Sequence, residues 1–253
     1  MEIAKGIESS LKAKQYSLII CNSNESAAEE KDRIALLLRT CVDGIIIIPA
    51  SDEGEHYQAI QNAGVPVVLV DRLVKNFVTD AVLVDNSNGT YRAIERVIQD
   101  GCHRIGFIGG DQRLTSARER LEGYHRALND YQIQLDPDIE CFGDFHIETG
   151  YQLMSQLLSL PEPPTAVFIS NFSMHVGATK FINEHRNQLS SIPAIVSFDD
   201  IELSFALGYC TTIVRQPTLQ LGQTAAELLL NRIVDNDTSS AKLVRLRTEI
   251  VTR

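Results

Sequence analysis

The chain has 253 residues, of which 44% are hydrophobic and 22% charged, and its formal net charge is −10 at neutral pH. This length suits two ordinary domains or one large α/β domain, and the composition is typical of a folded protein rather than a disordered one. The acidic charge repels a phosphate backbone, so these residues alone are not expected to bind nucleic acid.

The predicted secondary structure alternates between amphipathic helices and short apolar strands. In chain order we predict helix 2–14, strand 17–21, helix 26–39, strands 44–49, 66–71 and 81–85, helix 88–100, strand 104–109, helix 115–131, a short run 139–142, helix 150–158, strands 166–170, 193–199 and 210–214, and helix 219–234. Most strands are nearly continuous Val, Ile and Leu, which indicates parallel strands covered by helices on both faces. Ser26 and Glu29 have the spacing of a capping box at a helix start.

This order predicts an α/β fold built from doubly wound parallel sheets. The elements are too many for one six-stranded sheet, so we expect two sheets in two lobes. No stretch rich in glycine, serine or proline marks a boundary between them. We therefore expect the chain to cross between the lobes more than once.

The five cysteines are scattered and form no CxxC pair, which favours reduced thiols over disulfides or a zinc site. The first residues lack the charged and then apolar pattern of a secretion leader. No apolar run approaches the roughly 18 residues that a membrane span needs. These features predict a cytoplasmic protein with no membrane partner.

Polar residues that directly follow the apolar runs are the candidates for a binding site, because ligands of open α/β sheets gather at the carboxyl ends of strands. They are Asn22, Asp71, Arg72, Asp85, Asn86, Asp111, Asn171, Asp199 and Asp200. Their amide, carboxylate and guanidinium groups suit the hydroxyl groups of a sugar, and Phe145 could supply a stacking face. Each also has a structural interpretation, as an N-cap or turn former for Asp and Asn, and as a core residue for Phe145.

Motifs for catalysis, cofactors and metals are missing from the sequence. The glycine-containing stretch 106–110 lacks the GxGxxG spacing, and neither a GxxxxGK[ST] nor a GxSxG motif occurs. The six histidines show neither HxH nor HExxH spacing, so we expect no metal site. The sequence thus predicts a binding protein without a cofactor rather than an enzyme.

Ten short motifs follow one another in a characteristic order, at 3–8, 43–46, 64–72, 84–86, 104–109, 115–123, 143–145, 163–168, 197–200 and 214–217. Each motif alone is weak, but the ordered series is specific. On these motifs the whole chain resembles the effector-binding part of the lac-repressor (LacI/GalR) family of transcriptional regulators.

The resemblance implies two lobes of the periplasmic-binding-protein type joined by three crossings, with the effector between them. The first lobe would hold 1–84 and 216–240, and the second 85–215 and 241–253. The effector would be a sugar, with a nucleoside or nucleobase as the alternative. Its binding would close the lobes of a homodimer and switch the affinity of a DNA-binding head for operator DNA.

The effector contacts of the family fall on residues at the predicted strand ends and on one helical arginine. Arg120 would be the main effector arginine. The residues alone, without the resemblance, suggest equally that 118–120 form a solvated helix face. Phe145 would stack on the ligand, and Asp199 would accept hydrogen bonds from its hydroxyl groups. The full set is Asp71, Arg72, Arg120, Phe145, Asn171 and Asp199.

Three departures from the family pattern carry expectations of their own. The usual Asn-Asp-x-Met-Ala-x-Gly reads Asn-Phe-Ser-Met-His-Val-Gly at 171–177, so Phe172 replaces an aspartate that would help to cap the next helix. Gly-Cys-His-Arg at 101–104 replaces Gly-His-Arg-Arg. The family's helix-turn-helix, hinge helix and first strand would precede Met1, which predicts a fragment in which 17–21 and 44–49 lack a shared neighbour strand and expose apolar surface.

Two other functions compete with the regulator. A periplasmic or lipid-anchored sugar-binding protein of a transporter would share the fold, but it would lack the Val-Arg-Gln-Pro segment at 214–217. An α/β enzyme on a similar scaffold would need catalytic motifs that the sequence does not contain. The regulator remains the prediction.

Overall fold

A computed structural model describes residues 2–199 and 208–252. The chain divides into two compact units, the first formed by 1–84 and 217–246 and the second by 85–216 and 247–253. The chain therefore passes from one unit to the other three times. Asp200, one of the candidate residues, lies outside the described part.

The helices and strands follow the predicted alternation, with one helix, at 55–62, that was not predicted. The helices are α1 (Glu2–Lys12), α2 (Ala27–Arg39), α3 (Glu55–Asn62), α4 (Asn86–Gln99), α5 (Thr115–Asp130), α6 (Ile147–Leu158), α7 (Phe172–His185) and α8 (Thr218–Ile233). The strands are β1 (Ile45–Ile47), β2 (Val67–Val70), β3 (Asp80–Val84), β4 (Ile105–Gly109), β5 (Glu140–Phe142), β6 (Ala166–Ile169), β7 (Ala194–Phe198), β8 (Cys210–Arg215), β9 (Leu243–Leu246) and β10 (Glu249–Thr252). Ser26 is the N-cap of α2 and accepts a hydrogen bond from the Glu29 amide, which confirms the predicted helix start.

The first unit contains a parallel sheet in the order β1-β2-β3-β9. Its two faces are covered as the continuous apolar runs predict. Ile34 and Tyr57, on α2 and α3, pack with Ile45 and Leu69 in one buried cluster. A second cluster joins α1 to α8. The doubly wound prediction is confirmed for this unit.

The predicted strand 17–21 is wrong. These residues have no strand partner in the described sheet, where β1 pairs only with β2. A strand requires interstrand hydrogen bonds, and an extended segment without a neighbour cannot form them. The expected exposure of apolar side chains does occur, since Ile19, Ile20 and Ile48 are 57%, 66% and 43% exposed.

The second unit contains a six-stranded sheet in the order β10-β8-β7-β6-β4-β5. All its pairs are parallel except β10 with β8. The assignment of 241–246 to the second lobe is wrong, because β9 pairs in parallel with β3 of the first unit. Only 247–253 belong to the second unit, where β10 pairs with β8, and Gln216 belongs there too.

A close crossing of α6 and α7 covers part of the second sheet, and glycine makes the crossing possible. A Cβ atom at Gly177 would lie 1.8 Å from the Ile147 carbonyl oxygen, and one at Gly150 would lie 2.2 Å from that of Met174. Each helix thus presents a glycine to the backbone of the other. Because backbone atoms cannot move aside as a flexible side chain can, these two positions require glycine.

Candidate functional site

Asp71 and Arg72 lie at the carboxyl end of β2 in the first unit. Asp71 has φ 66°, a left-handed conformation that is uncommon for residues other than glycine. Its amide donates to the carbonyl of Val82 in the neighbouring β3 at 2.9 Å, which fixes this conformation. Arg72 is only 6% exposed, and its Nη1 donates to the Pro49 carbonyl at 2.8 Å. The structure therefore holds both residues where a sheet of this class binds ligands.

Arg120 lies on α5 in the second unit and is almost completely buried, at 3% exposure. Its Nε donates to Asn86 Oδ1 at 2.9 Å, and its Nη1 donates to the Ser170 carbonyl. The guanidinium carbon lies 3.8 Å from the centre of the Phe198 ring, a cation–π arrangement. Arg120 is thus held at the carboxyl ends of β6 and β7 and does not belong to a solvated helix face.

Asn171 caps α7, so the helix is capped although Phe172 replaces the usual aspartate. Its Oδ1 accepts from the Met174 amide at 2.9 Å, and its Nδ2 donates to the Phe145 carbonyl at 3.0 Å. Phe145 has φ 68° and is 6% exposed, and its ring lies inside the hydrophobic cluster and against Gly110. The ring therefore packs as a core residue, in agreement with the structural interpretation of Phe145.

Asp199, at the carboxyl end of β7, repeats the arrangement of Asp71 in the other unit. Its φ is 76°, and its amide donates to the carbonyl of Val214 in the neighbouring β8 at 3.2 Å. Its Oδ1 accepts a hydrogen bond from Nε2 of Gln216. Left-handed conformations at non-glycine residues cost energy and persist where the surrounding structure imposes them, often at functional sites.

The structure brings the four candidates of the second unit to one edge of its sheet. Arg120 contacts Ser170 and Phe198, which immediately precede Asn171 and Asp199, while Asn171 contacts Phe145. Among the other strand-end residues, Asp85 is the N-cap of α4. Asp111 pairs with Arg113 at 2.5 Å and Asn22 with Asn24 at 2.7 Å, both in exposed loops. These three have the structural role of caps and turn formers.

Apart from Asn86, a strand-end candidate that accepts a hydrogen bond from Arg120, the sequence did not single out the residues that hold the candidates in place. Phe198, Gln216 and Glu25 carry no motif of their own that points to Arg120, Asp199 or Arg72. Phe198 and Gln216 do lie inside matched segments, at 197–200 and 214–217, so their positions were marked although their roles were not. Glu25 lies outside every matched segment, and only the tertiary structure identifies it as the partner of Arg72.

Metal-binding clusters and membrane-spanning helices were sought in the described residues, 2–199 and 208–252. These residues contain no cluster of three or more His, Cys, Asp or Glu side chains arranged to hold a metal ion. None of the helices in this part of the chain is long and apolar enough to cross a membrane.

The polar residues at the strand ends of two open α/β sheets define a ligand-binding protein with the architecture of the periplasmic binding proteins. The model of the periplasmic binding protein-like domain matches residues 94–253. A transcriptional repressor, PurR of Vibrio atlanticus, is 30% identical over 254 positions, which cover all of this chain and 75% of that protein. The chain belongs to the lac-repressor family of transcriptional regulators, and it is an effector-binding domain of that family.

Solved structures of the family agree with this assignment. The transcription regulator CcpA of Lactococcus lactis is 25% identical, with a TM-score of 0.88 over all of this chain and 92% of that one. A LacI family regulator from Enterococcus faecium, solved with bound ribose, is 26% identical, with a TM-score of 0.86 over all of this chain and 91% of that one. These comparisons give no support to the alternative of a transporter's sugar-binding protein.

Proposed function

We propose that this chain binds a small polyhydroxylated effector through Asp71, Arg72, Arg120, Asn171 and Asp199, with Phe145 positioning Asn171. The observation that carries the proposal is the buried Arg120, which Asn86, Ser170 and Phe198 hold at the carboxyl edge of the second sheet. A buried guanidinium offers directed donors for hydroxyl oxygens, and the carboxylates of Asp71 and Asp199 offer acceptors for hydroxyl hydrogens.

The effector class that these groups suit best is a neutral sugar, and the ribose in the Enterococcus faecium regulator supports this class. Phe145 would contribute mainly through its backbone carbonyl, which holds Asn171, because its ring is buried. A nucleoside or nucleobase is the alternative ligand, since amide and carboxylate groups also recognise base edges.

Effector binding would act on transcription by selecting one of two conformations of the regulator. The net charge of −10 opposes contact between these residues and DNA, so operator binding would fall to a separate helix-turn-helix head. We further propose that the regulator works in the cytoplasm as a homodimer and leaves its effector chemically unchanged. Its similarity to a transcriptional repressor rather than to an enzyme supports the last of these points.

A thermal-shift screen of neutral sugars, nucleosides and nucleobases tests the proposal, with titration calorimetry on each hit. Asp199→Asn and Arg120→Lys should each weaken binding by at least about tenfold, because a lost charge-assisted hydrogen bond is worth on the order of 1.5–3 kcal/mol. Asp100→Asn is the matched control, since Asp100 is exposed and pairs with Arg96 at the end of the same helix. Unchanged affinity in both site variants would refute the assignment.

A further inference from the structure

The guanidinium of Arg72 is already occupied by a carboxylate from its own unit. Nη1 donates to Glu25 Oε2 at 2.6 Å, and Nη2 donates to Glu25 Oε1 at 3.2 Å. Two parallel bonds of this kind form the forked pair that arginine makes with carboxylates and phosphates. Glu25 thus takes the place at Arg72 that an anionic group of a ligand would take.

Glu25 approaches Arg72 from the solvent side. The side chain of Glu25 is 37% exposed, whereas that of Arg72 is 7% exposed. Asn24 and Glu25 have φ values of 51° and 56°, so two successive residues adopt the left-handed conformation just before α2 begins. The carboxylate therefore lies between water and a buried cation, at the end of a short loop.

Nη1 of Arg72 has a second partner, and that partner is fixed by the fold. The Pro49 carbonyl accepts from Nη1, and the next amide, that of Ala50, donates to Glu30 Oε2 at 2.8 Å. Glu30 is 4% exposed and also accepts hydrogen bonds from the hydroxyl of Tyr57 and, at 3.0 Å, from His56 Nε2 when that nitrogen is protonated. Burial is the main cause that raises the pKa of Tyr57 far above its usual value, so its hydroxyl remains a donor.

Two carboxylates lie at Arg72, since Asp71 Oδ2 is 3.6 Å from Nε, but the side chain of Asp71 is 15% exposed and that of Glu25 is 37% exposed. Glu25 is therefore the more accessible of the two to an incoming ligand. Pro49 and Ala50 are tied to a buried network, while Glu25 is carried by a half-exposed loop. A neutral hydroxyl group could bind beside the Glu25–Arg72 pair, since the carboxylate can accept from it. A phosphate group could not, because it would face the negative charge of Glu25.

We propose that Glu25 is a specificity-determining residue that neutralises Arg72 and selects uncharged polyhydroxylated ligands over their phosphate esters. The inference rests on the proposed function, in that Arg72 is taken to face the effector. Substitution of Glu25 should therefore convert Arg72 into an anion site.

The experiment compares the unchanged chain with Glu25→Gln and Glu25→Ala by titration calorimetry, with inorganic phosphate as the first probe. Glu25→Ala should bind phosphate at least about tenfold more tightly than the unchanged chain, because one like charge near the anion is removed. The gain should disappear in the double variant Glu25→Ala, Arg72→Gln. Glu53→Gln is the matched control, since it removes the same charge from the same unit at a glutamate that pairs with Lys75.

Ribose and ribose 5-phosphate are the second pair of probes. We expect the ratio of their affinities to move by at least about tenfold toward the phosphate ester in Glu25→Gln. Thermal unfolding of each variant checks that it folds, and Glu25→Gln retains the shape of the side chain if Glu25→Ala does not fold.

The outcomes separate the inference from the proposed function. The inference is overturned if the affinity for phosphate stays the same in both Glu25 variants, or if it rises equally in Glu53→Gln. Either result overturns it irrespective of how the variants bind sugars. Tighter, Arg72-dependent phosphate binding supports the inference. If this gain occurs while the unchanged chain binds no sugar, nucleoside or nucleobase, the proposed function fails and the charge-neutralising role of Glu25 stands.

Discussion

His175 should make the stability of the chain depend on pH in a narrow window. It lies on α7, is fully buried, and neither ring nitrogen has a hydrogen-bond partner among residues 2–199 and 208–252. One turn further along the helix, the buried Thr179 hydroxyl also lacks a partner in this part of the chain. Burial therefore lowers the pKa of His175 from 6.5 to about 4, since no acceptor compensates the charged imidazolium.

The sign and size of the effect follow from proton linkage. The unfolded chain binds a proton at His175 more tightly than the folded chain does, so folding is favoured above pH 6.5 and loses this contribution as the pH falls toward 4. The free energy of unfolding should decrease by about 2 kcal/mol between pH 7 and pH 5, and by about 3 kcal/mol at pH 4. The loss levels off below that pH, because His175 is then protonated in both states.

Urea unfolding at pH 7, 6 and 5 measures this dependence in the unchanged chain and in His175→Ala. In His175→Ala, the free energy of unfolding should decrease much less between pH 7 and pH 5, whatever its value at pH 7. His175→Met is used instead if the alanine variant does not fold. His103→Ala removes an exposed imidazole and is the control, with a profile that should keep the original form. A decrease between pH 7 and pH 5 that is equal in His175→Ala and in the unchanged chain would show that His175 is not its source.

Three stability predictions concern other features of the fold, each measured by urea unfolding at pH 7. Asp80→Asn should lower the free energy of unfolding by about 3 kcal/mol, because Asp80 is 3% exposed and accepts two hydrogen bonds of 2.8 Å from Arg232. A loss below about 1 kcal/mol would contradict this. Gly177→Ala should cost at least about 2 kcal/mol, because its Cβ would collide with the backbone of α6; a neutral result would mean that the helices separate freely. Ser26→Ala should cost about 1 kcal/mol through loss of the α2 cap, and Ser26→Thr should restore most of it.

The local pattern of the sequence was sufficient for the class of fold and for most elements. Continuous runs such as the one that forms β2 are apolar at every position, which is typical of a strand covered on both faces. The same reasoning predicted a strand at 17–21, and it was wrong there because strand formation depends on a neighbour as well as on composition. The sequence also could not predict where the chain crosses between the units near 246, since β9 and β10 are similar short strands that join different sheets.

For the candidate site, the sequence by itself determined the kind of side chain at each strand end and the family to which the chain belongs. Only the tertiary structure decided what surrounds those side chains. It placed the Phe145 ring in the core, Arg120 against Phe198, and Glu25 on Arg72, 47 positions away along the chain. The physical reason is that periodicity reports which face of an element is buried, whereas a contact between distant residues depends on how the elements pack.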